Sequence, residues 1–195
     1  MQNKQGKETG DFGLWLTQHY SSTELHIFYD HGDRNSHPNV AAVKGFYKQE
    51  GEKISNRNRL ADVDVIVASK KNEILLLIEI EERPVSPKKV LGDVFAIILC
   101  NRFAVRINRK QTDFFVTLGT KLFVAGFVPG VGHRLRKIRE VTMPRLMQFP
   151  GLPGGIHPHN NIELIFEASL QEAIARLKSK TESMLNNLVL EDTEK

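Results

Sequence analysis

Four carboxylates bracket an apolar stretch. In ADVDVIVASKKNEILLLIEIEE (61–82), Asp62 and Asp64 open one run suited to a β-strand, and Glu79 and Glu81 close the next. Side chains alternate faces along a strand, so each pair shares a side. A loop centred between Lys71 and Asn72 sets Asp64 opposite Glu79 and Asp62 opposite Glu81, and all four acids converge on one patch. KKNE lacks the Asn-Gly signal of a two-residue turn, and a slip of one residue would send one pair to the other face. Two ionised carboxylates about 5 Å apart repel by roughly 3 kcal/mol at an effective dielectric of about 20, and burial adds to that cost. Keeping them together requires a shared proton, a neighbouring lysine or arginine, or a divalent cation with oxygen ligands. The last is chemically productive, because Mg²⁺ held by one or two carboxylates orients a phosphate and activates a water. The plainer solution is solvent and lysine, and Lys88 and Lys89 follow closely.

Around this hairpin the pattern predicts elements that would hold it. DFGLWLTQHY (11–20) reads as a short helix, with Ser21 and Glu24 spaced as a capping box before HIFY, which fits a strand equally well. A second helix is predicted from about Pro38 to residue 50, stopped by Gly51. Ser86 at a cap position, Pro87 at the first helical position and Val90, Leu91, Val94, Ile97 and Ile98 at helical spacing predict a helix over 87–102. DFFVTLG, KLFVAGFV and IELIFEA read as strands, VGHRLRKIREV begins a helix, and MPRLMQFPGLPGGIHPHNN is turn-rich. Ser169 and Glu172 form a capping box opening a terminal helix whose Leu170, Ile174, Leu177, Met184, Leu185 and Leu188 make a core-facing stripe. The layout is α/β, a mixed β-sheet flanked by helices, in one domain over 1–195 with disordered ends at 1–10 and 190–195.

A chain of 195 residues buries a sufficient core without disulfides or a structural metal, and its one cysteine, Cys100, lies in the apolar run VFAIILC without a partner. That points to a reducing, cytoplasmic setting. No apolar run is long enough to span a bilayer, and the polar start lacks the core of a signal peptide, so no membrane association is expected. The net charge of +4 is modest. It is unevenly spread: Arg102, Arg106, Arg109 and Lys110 form one basic cluster and Arg134, Arg136 and Lys137 another. Both suit phosphate contacts or, equally, solvated faces. His157 and His159 lack the partners of a zinc site.

An Asp opening a hydrophobic strand, a short turn, the strand ILLLIEIEE ending in Glu-x-Glu and then a helix together resemble the core of the PD-(D/E)XK nucleases, over about residues 61–102. That superfamily includes restriction endonucleases and Holliday-junction resolvases. The resemblance implies a restriction endonuclease-like sheet and a metal-dependent DNA endonuclease that hydrolyses phosphodiester bonds with Mg²⁺, or Mn²⁺. Carried over, Asp64 is the metal-binding aspartate and Glu79 the first acid of the second strand. Glu81 stands where lysine is usual. Either Glu81 is a third metal ligand or a general base, or Lys88 or Lys89 supplies the missing charge, or catalysis has been lost and the chain is a nucleic-acid-binding or assembly module. Asp62 is a weaker metal candidate. Glu24 or Glu50 is the candidate for the upstream helical glutamate of many relatives. The basic clusters would contact DNA phosphates, and a homodimer would suit cleavage of both strands. A carboxylate-metal enzyme acting on a small phosphorylated molecule is a third reading.

Overall fold

A computed structural model describes residues 6–33, 35–129 and 132–193. In chain order they form α1 (Lys7–His19), β1 (His26–Tyr29), β2 (Val43–Phe46), β3 (Arg59–Val63), β4 (Val65–Ala68), β5 (Ile74–Glu81), α2 (Pro87–Ile98), β6 (Arg102–Ile107), β7 (Lys110–Phe115) and β8 (Lys121–Phe127). There follow α3 (His133–Lys137), a π-helical turn (Ile138–Thr142), α4 (Met143–Leu146), β9 (Ile162–Glu167) and α5 (Leu170–Thr193). The fold is α/β.

Five strands make a mixed sheet in the order β1-β4-β5-β8-β9, and four make an antiparallel sheet in the order β3-β2-β6-β7. β1, β4 and β5 are antiparallel neighbours, whereas β8 lies parallel to β5 and β9 parallel to β8. Parallel neighbours need a long crossover, and the segment containing α2 provides the one between β5 and β8. β5 is the central strand, and its unbroken ILLLI is what a strand covered on both faces requires.

Alternation along the strands divides the core in two. Val65, Val67, Leu76, Ile78 and Ile80 pack with Phe12 and Leu16 of α1 and Leu177 and Leu185 of α5. Ile66, Ala68 and Leu77 point the other way, toward Val90, Val94 and Ile97 of α2 and Phe103 and Phe114 of the second sheet. The expected α2 start holds: Ser86 Oγ accepts from the Lys89 N–H at 3.3 Å with Pro87 in the first turn. The Ser169–Glu172 capping box is also present, with reciprocal bonds of 3.2 and 3.3 Å.

Several expectations are corrected. Residues 43–46 are strand rather than part of a helix over 38–50. Gly45 is the reason: a Cβ there would lie 2.7 Å from both Cys100 Sγ and the Phe103 ring, so the backbone must run flat beneath them. Gly45→Ala is expected to destabilise the protein by about 2 kcal/mol through overpacking, measured by urea unfolding. Helix α2 stops at Ile98, short of 102, because the chain turns into β6. The segment 102–115 is two paired strands, beyond the single strand the sequence predicts from Asp113 onward. It forms a tight hairpin in which Asn108 and Arg109 both take positive φ, 48° and 66°, the backbone of a primed turn without the Asn-Gly sequence. Ser21 and Glu24 cap no helix, since β1 follows. Residues 143–146 are helical rather than turn. Of the ends expected to be disordered, 1–5 and 194–195 lie outside the described residues, while α1 begins at Lys7 and α5 runs to Thr193. Among the described residues no helix is long and apolar enough to cross a membrane.

Candidate metal centre

The hairpin register is the one the acids require. Val65 pairs with Ile78, Ile66 with Leu77 and Val67 with Leu76, which continues to Asp64 opposite Glu79. The turn is longer than two residues, closed by the Ser69 N–H donating to the Glu73 carbonyl at 2.9 Å, and a bulge between Val67 and Ala68 restores the alignment. Because Ile66 and Leu77 both enter the α2-side core, Asp64 and Glu79, each two residues further along, share that face.

Asp64 is the single residue between β3 and β4, where the chain passes from one sheet to the other. Three hydrogen bonds fix it. Its N–H donates to the Ile78 carbonyl at 3.1 Å, its carbonyl accepts from the Asp30 N–H at 2.8 Å, and its carboxylate accepts from the Ile80 N–H at 2.7 Å. Glu81, only 8% exposed, lies two residues beyond Glu79 on the same face. It is paired in register with Gly126 of β8, whose absent side chain makes room for it: a Cβ there would lie 2.9 Å from Glu81 Cβ and from the Phe166 ring. The Glu81 carboxylate receives a hydrogen bond from Lys89 Nζ, which also reaches Asp93 at 3.0 Å. The N-terminal turn of α2 thus hangs Lys89 over the end of β5.

Burial pushes the Asp64 carboxyl up to about 7, and the Asp30, Glu81 and Glu82 charges add to this against the opposing Ile80 hydrogen bond. Burial, then the charges of Asp64, Glu81 and Asp93, raises Glu79 well above the usual carboxylate range, with Lys89 opposing. Burial also raises Glu81, a shift that the hydrogen bond from Lys89 counters. Lys89 itself is held above its ordinary value: burial works the other way, but bonding to Glu81 and Asp93 outweighs it. Burial and mutual repulsion thus work against ionisation of all three acids, and Lys89 is the nearby cation that opposes them. Among the described residues no three His, Cys, Asp or Glu side chains form a ready metal cage. Asp64 and Glu79 are a pair of carboxylates, the number with which a protein commonly holds Mg²⁺.

The structure separates other candidates from this centre. Asp62 does not meet Glu81: β3 belongs to the second sheet, where Asp62 pairs in register with Lys44, and its side chain is 57% exposed and bound to Arg59. The change of sheet at Asp64 breaks the alternation that would have joined them. Glu24 is 73% exposed on Lys70, beyond the far end of β4 from Asp64, and stands on no helix. Glu50 is likewise exposed in a turn. Lys88 is exposed, and it is Lys89 that faces the acids. Arg102 and Arg106 lie on β6, Arg109 in the hairpin turn and Lys110 on β7, while Arg134, Arg136 and Lys137 are exposed on α3 with Arg136 paired to Glu140. Cys100 is buried, its thiol pushed up by burial to about 12, which leaves it inert.

Three participants were missed. Asp93 lies four residues after Lys89 on α2, a spacing visible in the sequence. Glu82 accepts from the Gly6 and Thr9 N–H groups at 2.8 and 2.9 Å and so caps α1, a contact across 76 residues with no local signal. Asp30 arrives at the end of β1. A cavity of about 510 Å³ lined by Lys121, Phe123, Met143 and Met184 sits at the start of β8, whereas the acids sit beside its end.

Lys89→Met removes the cation from a nearly buried Glu81. Because Lys89 itself is half exposed, the expected loss is about 1–2 kcal/mol at pH 8, shrinking toward pH 5 as Glu81 takes up a proton, measured by urea unfolding at both values.

Comparison with protein-family models, with curated proteins and with solved structures finds no match to this chain. What the centre does has to be read from its own side chains.

Proposed function

We propose that the protein is a metal-dependent DNA endonuclease of the PD-(D/E)XK kind, hydrolysing phosphodiester bonds with Mg²⁺ or Mn²⁺. The observation that carries this reading is the Asp64–Glu79 pair, two partly exposed carboxylates, Glu79 on β5 and Asp64 at the residue leading into β4, where the β4–β5 register sets them opposite each other. Strand, turn, strand and helix follow one another around it in the order the motif needs. Asp64 and Glu79 would hold the ion, with Asp64 kept in place by the Ile80 N–H. The chemistry such an ion would supply there is polarisation of a phosphoryl oxygen and a lower pKa for the attacking water. Glu81 orients that water, and Lys89 supplies the positive charge that the usual motif lysine would bring, from α2 instead of β5. The exposed arginines and lysines of β6, its hairpin turn and α3 hold backbone phosphates.

One observation favours a second reading. Lys89 already neutralises Glu81, so a fold that has lost cleavage would still tolerate its acids, and the chain would then bind nucleic acid without cutting it. Incubation of supercoiled plasmid with Mg²⁺ or Mn²⁺ separates the two. The nuclease reading expects nicked and linear products from the wild type and none from Asp64→Asn. DNA binding without nicking in either metal would leave the second reading.

A further inference from the structure

We infer that the outer face of the antiparallel sheet is a binding platform for unpaired nucleotides, on which bases stack against Phe115. This inference rests on the nucleic-acid part of the reading above and names the form of nucleic acid received there.

The inner face of this sheet carries Val43, Val63, Val105, Phe103 and Phe114 into the core. On the opposite face Phe46 and Ala104 are buried, whereas Arg106 and Phe115 are exposed. One register row across it runs Phe46, Arg102, Phe115 from β2 through β6 to edge strand β7, with Arg59 of β3 joining beside Phe46 across a bulge at Gly45. With Arg59 the row spans three inter-strand steps, roughly 14 Å; Phe46 is buried within it, so the ring it presents is that of Phe115, with Arg102 beside it. Phe115, 40% exposed, already receives a planar cation: the Arg102 guanidinium lies 3.9 Å from its ring centroid. A ring presented with a guanidinium beside it is the surface on which a base stacks, since every base has a π-face and the cation adds to the contact.

Charge complementarity selects the occupant. Beside this row stand Lys44, Arg106 and, at the hairpin tip, Arg109 and Lys110. Among the described residues none of these four, nor Arg102, makes an ion pair. Asp62 and Asp113 are the acids of the face; Asp62 is bound to Arg59 and Asp113 accepts from Gln111 at 2.8 Å. The surplus is positive, as a phosphodiester chain requires. Base stacking needs exposed π-faces, which a duplex hides within its stack, so the aromatic component favours a single strand over a duplex. The platform also leads to the carboxylates, because β3 ends at the residue before Asp64.

The test is a fluorescence-anisotropy titration in EDTA with labelled oligo(dT), an abasic oligonucleotide of equal length and a duplex, each at two salt concentrations. Wild type is expected to bind oligo(dT) more tightly than the abasic strand. Phe115→Leu is expected to weaken oligo(dT) binding on the order of ten-fold while leaving abasic binding unchanged, and Phe115→Trp to retain it. Circular dichroism confirms that both variants fold. The platform is overturned if Phe115→Leu binds oligo(dT) as the wild type does, if abasic and oligo(dT) strands bind equally, or if the duplex alone is bound. Plasmid nicking reports on the carboxylates and oligonucleotide binding on the sheet face, so failure of either leaves the other standing.

Discussion

Asp64→Asn is expected to abolish metal-dependent nicking, by on the order of 10³-fold, and at the same time to make the metal-free protein more stable. The two effects have one origin. Asp64 contributes a charge to a place where burial disfavours it, and where Asp30, Glu81 and Glu82 disfavour it further. An amide keeps the acceptor for the Ile80 N–H and offers a donor to Glu79, so the fold gains from the exchange. The lost function follows because a dication held by one acid fewer gives up several kcal/mol of charge stabilisation at the phosphate. Thermal unfolding in EDTA at pH 8, run beside the plasmid assay, measures both. A variant that is less stable than the wild type, or that still nicks, would mean that Asp64 serves the fold and not a metal.

Stability of the metal-free protein should fall as pH rises from about 4 to about 7. The folded Asp64 carboxyl titrates at about 7 against 3.8 for an unperturbed aspartate. Below 3.8 both folded and unfolded states hold the proton and there is no penalty. Between the two values the unfolded chain releases its proton while the folded one keeps it, so stability drains away with rising pH. Above about 7 the loss is complete, about 4 kcal/mol from this group alone, and Glu79 and Glu81 act in the same direction. For a chain of this size that is about 10 °C in Tm. Mn²⁺ should reverse it, and more so at pH 8 than at pH 5, because the ion binds the deprotonated form and releases protons. Equal Mn²⁺ stabilisation at both pH values would show that the ion does not displace these protons.

Where local chemistry decides structure, the sequence was legible. The Ser86–Pro87 start of α2 and the Ser169–Glu172 box of α5 rest on residues within a few positions of one another, and the β4–β5 pairing joins strands separated only by a short turn. The antiparallel sheet was not legible, because its reasons are distant. Gly45 is strand on account of Cys100 and Phe103, and the turn at Asn108–Arg109 lacks the glycine that usually announces such a bend. The same division runs through the candidate site. Alternation and register bring Asp64 and Glu79 to one face, and helical spacing brings Lys89 and Asp93 together. Asp62 was misjudged because strict alternation assumes one continuous strand, and here the chain changes partners between Asp62 and Val65. Glu82 and Asp30 could not be inferred, since tertiary contacts alone bring them in.

That change of partners has an architectural consequence. The joint between the two sheets is one residue long, and that residue carries the carboxylate. Such a hinge has no slack. An added or deleted amino acid between Val63 and Val65 would turn every side chain of one flanking strand inside out, so length variation here should be forbidden even where substitutions are tolerated. Strain applied to the smaller sheet has no loop in which to dissipate before it reaches the Asp64 carboxylate.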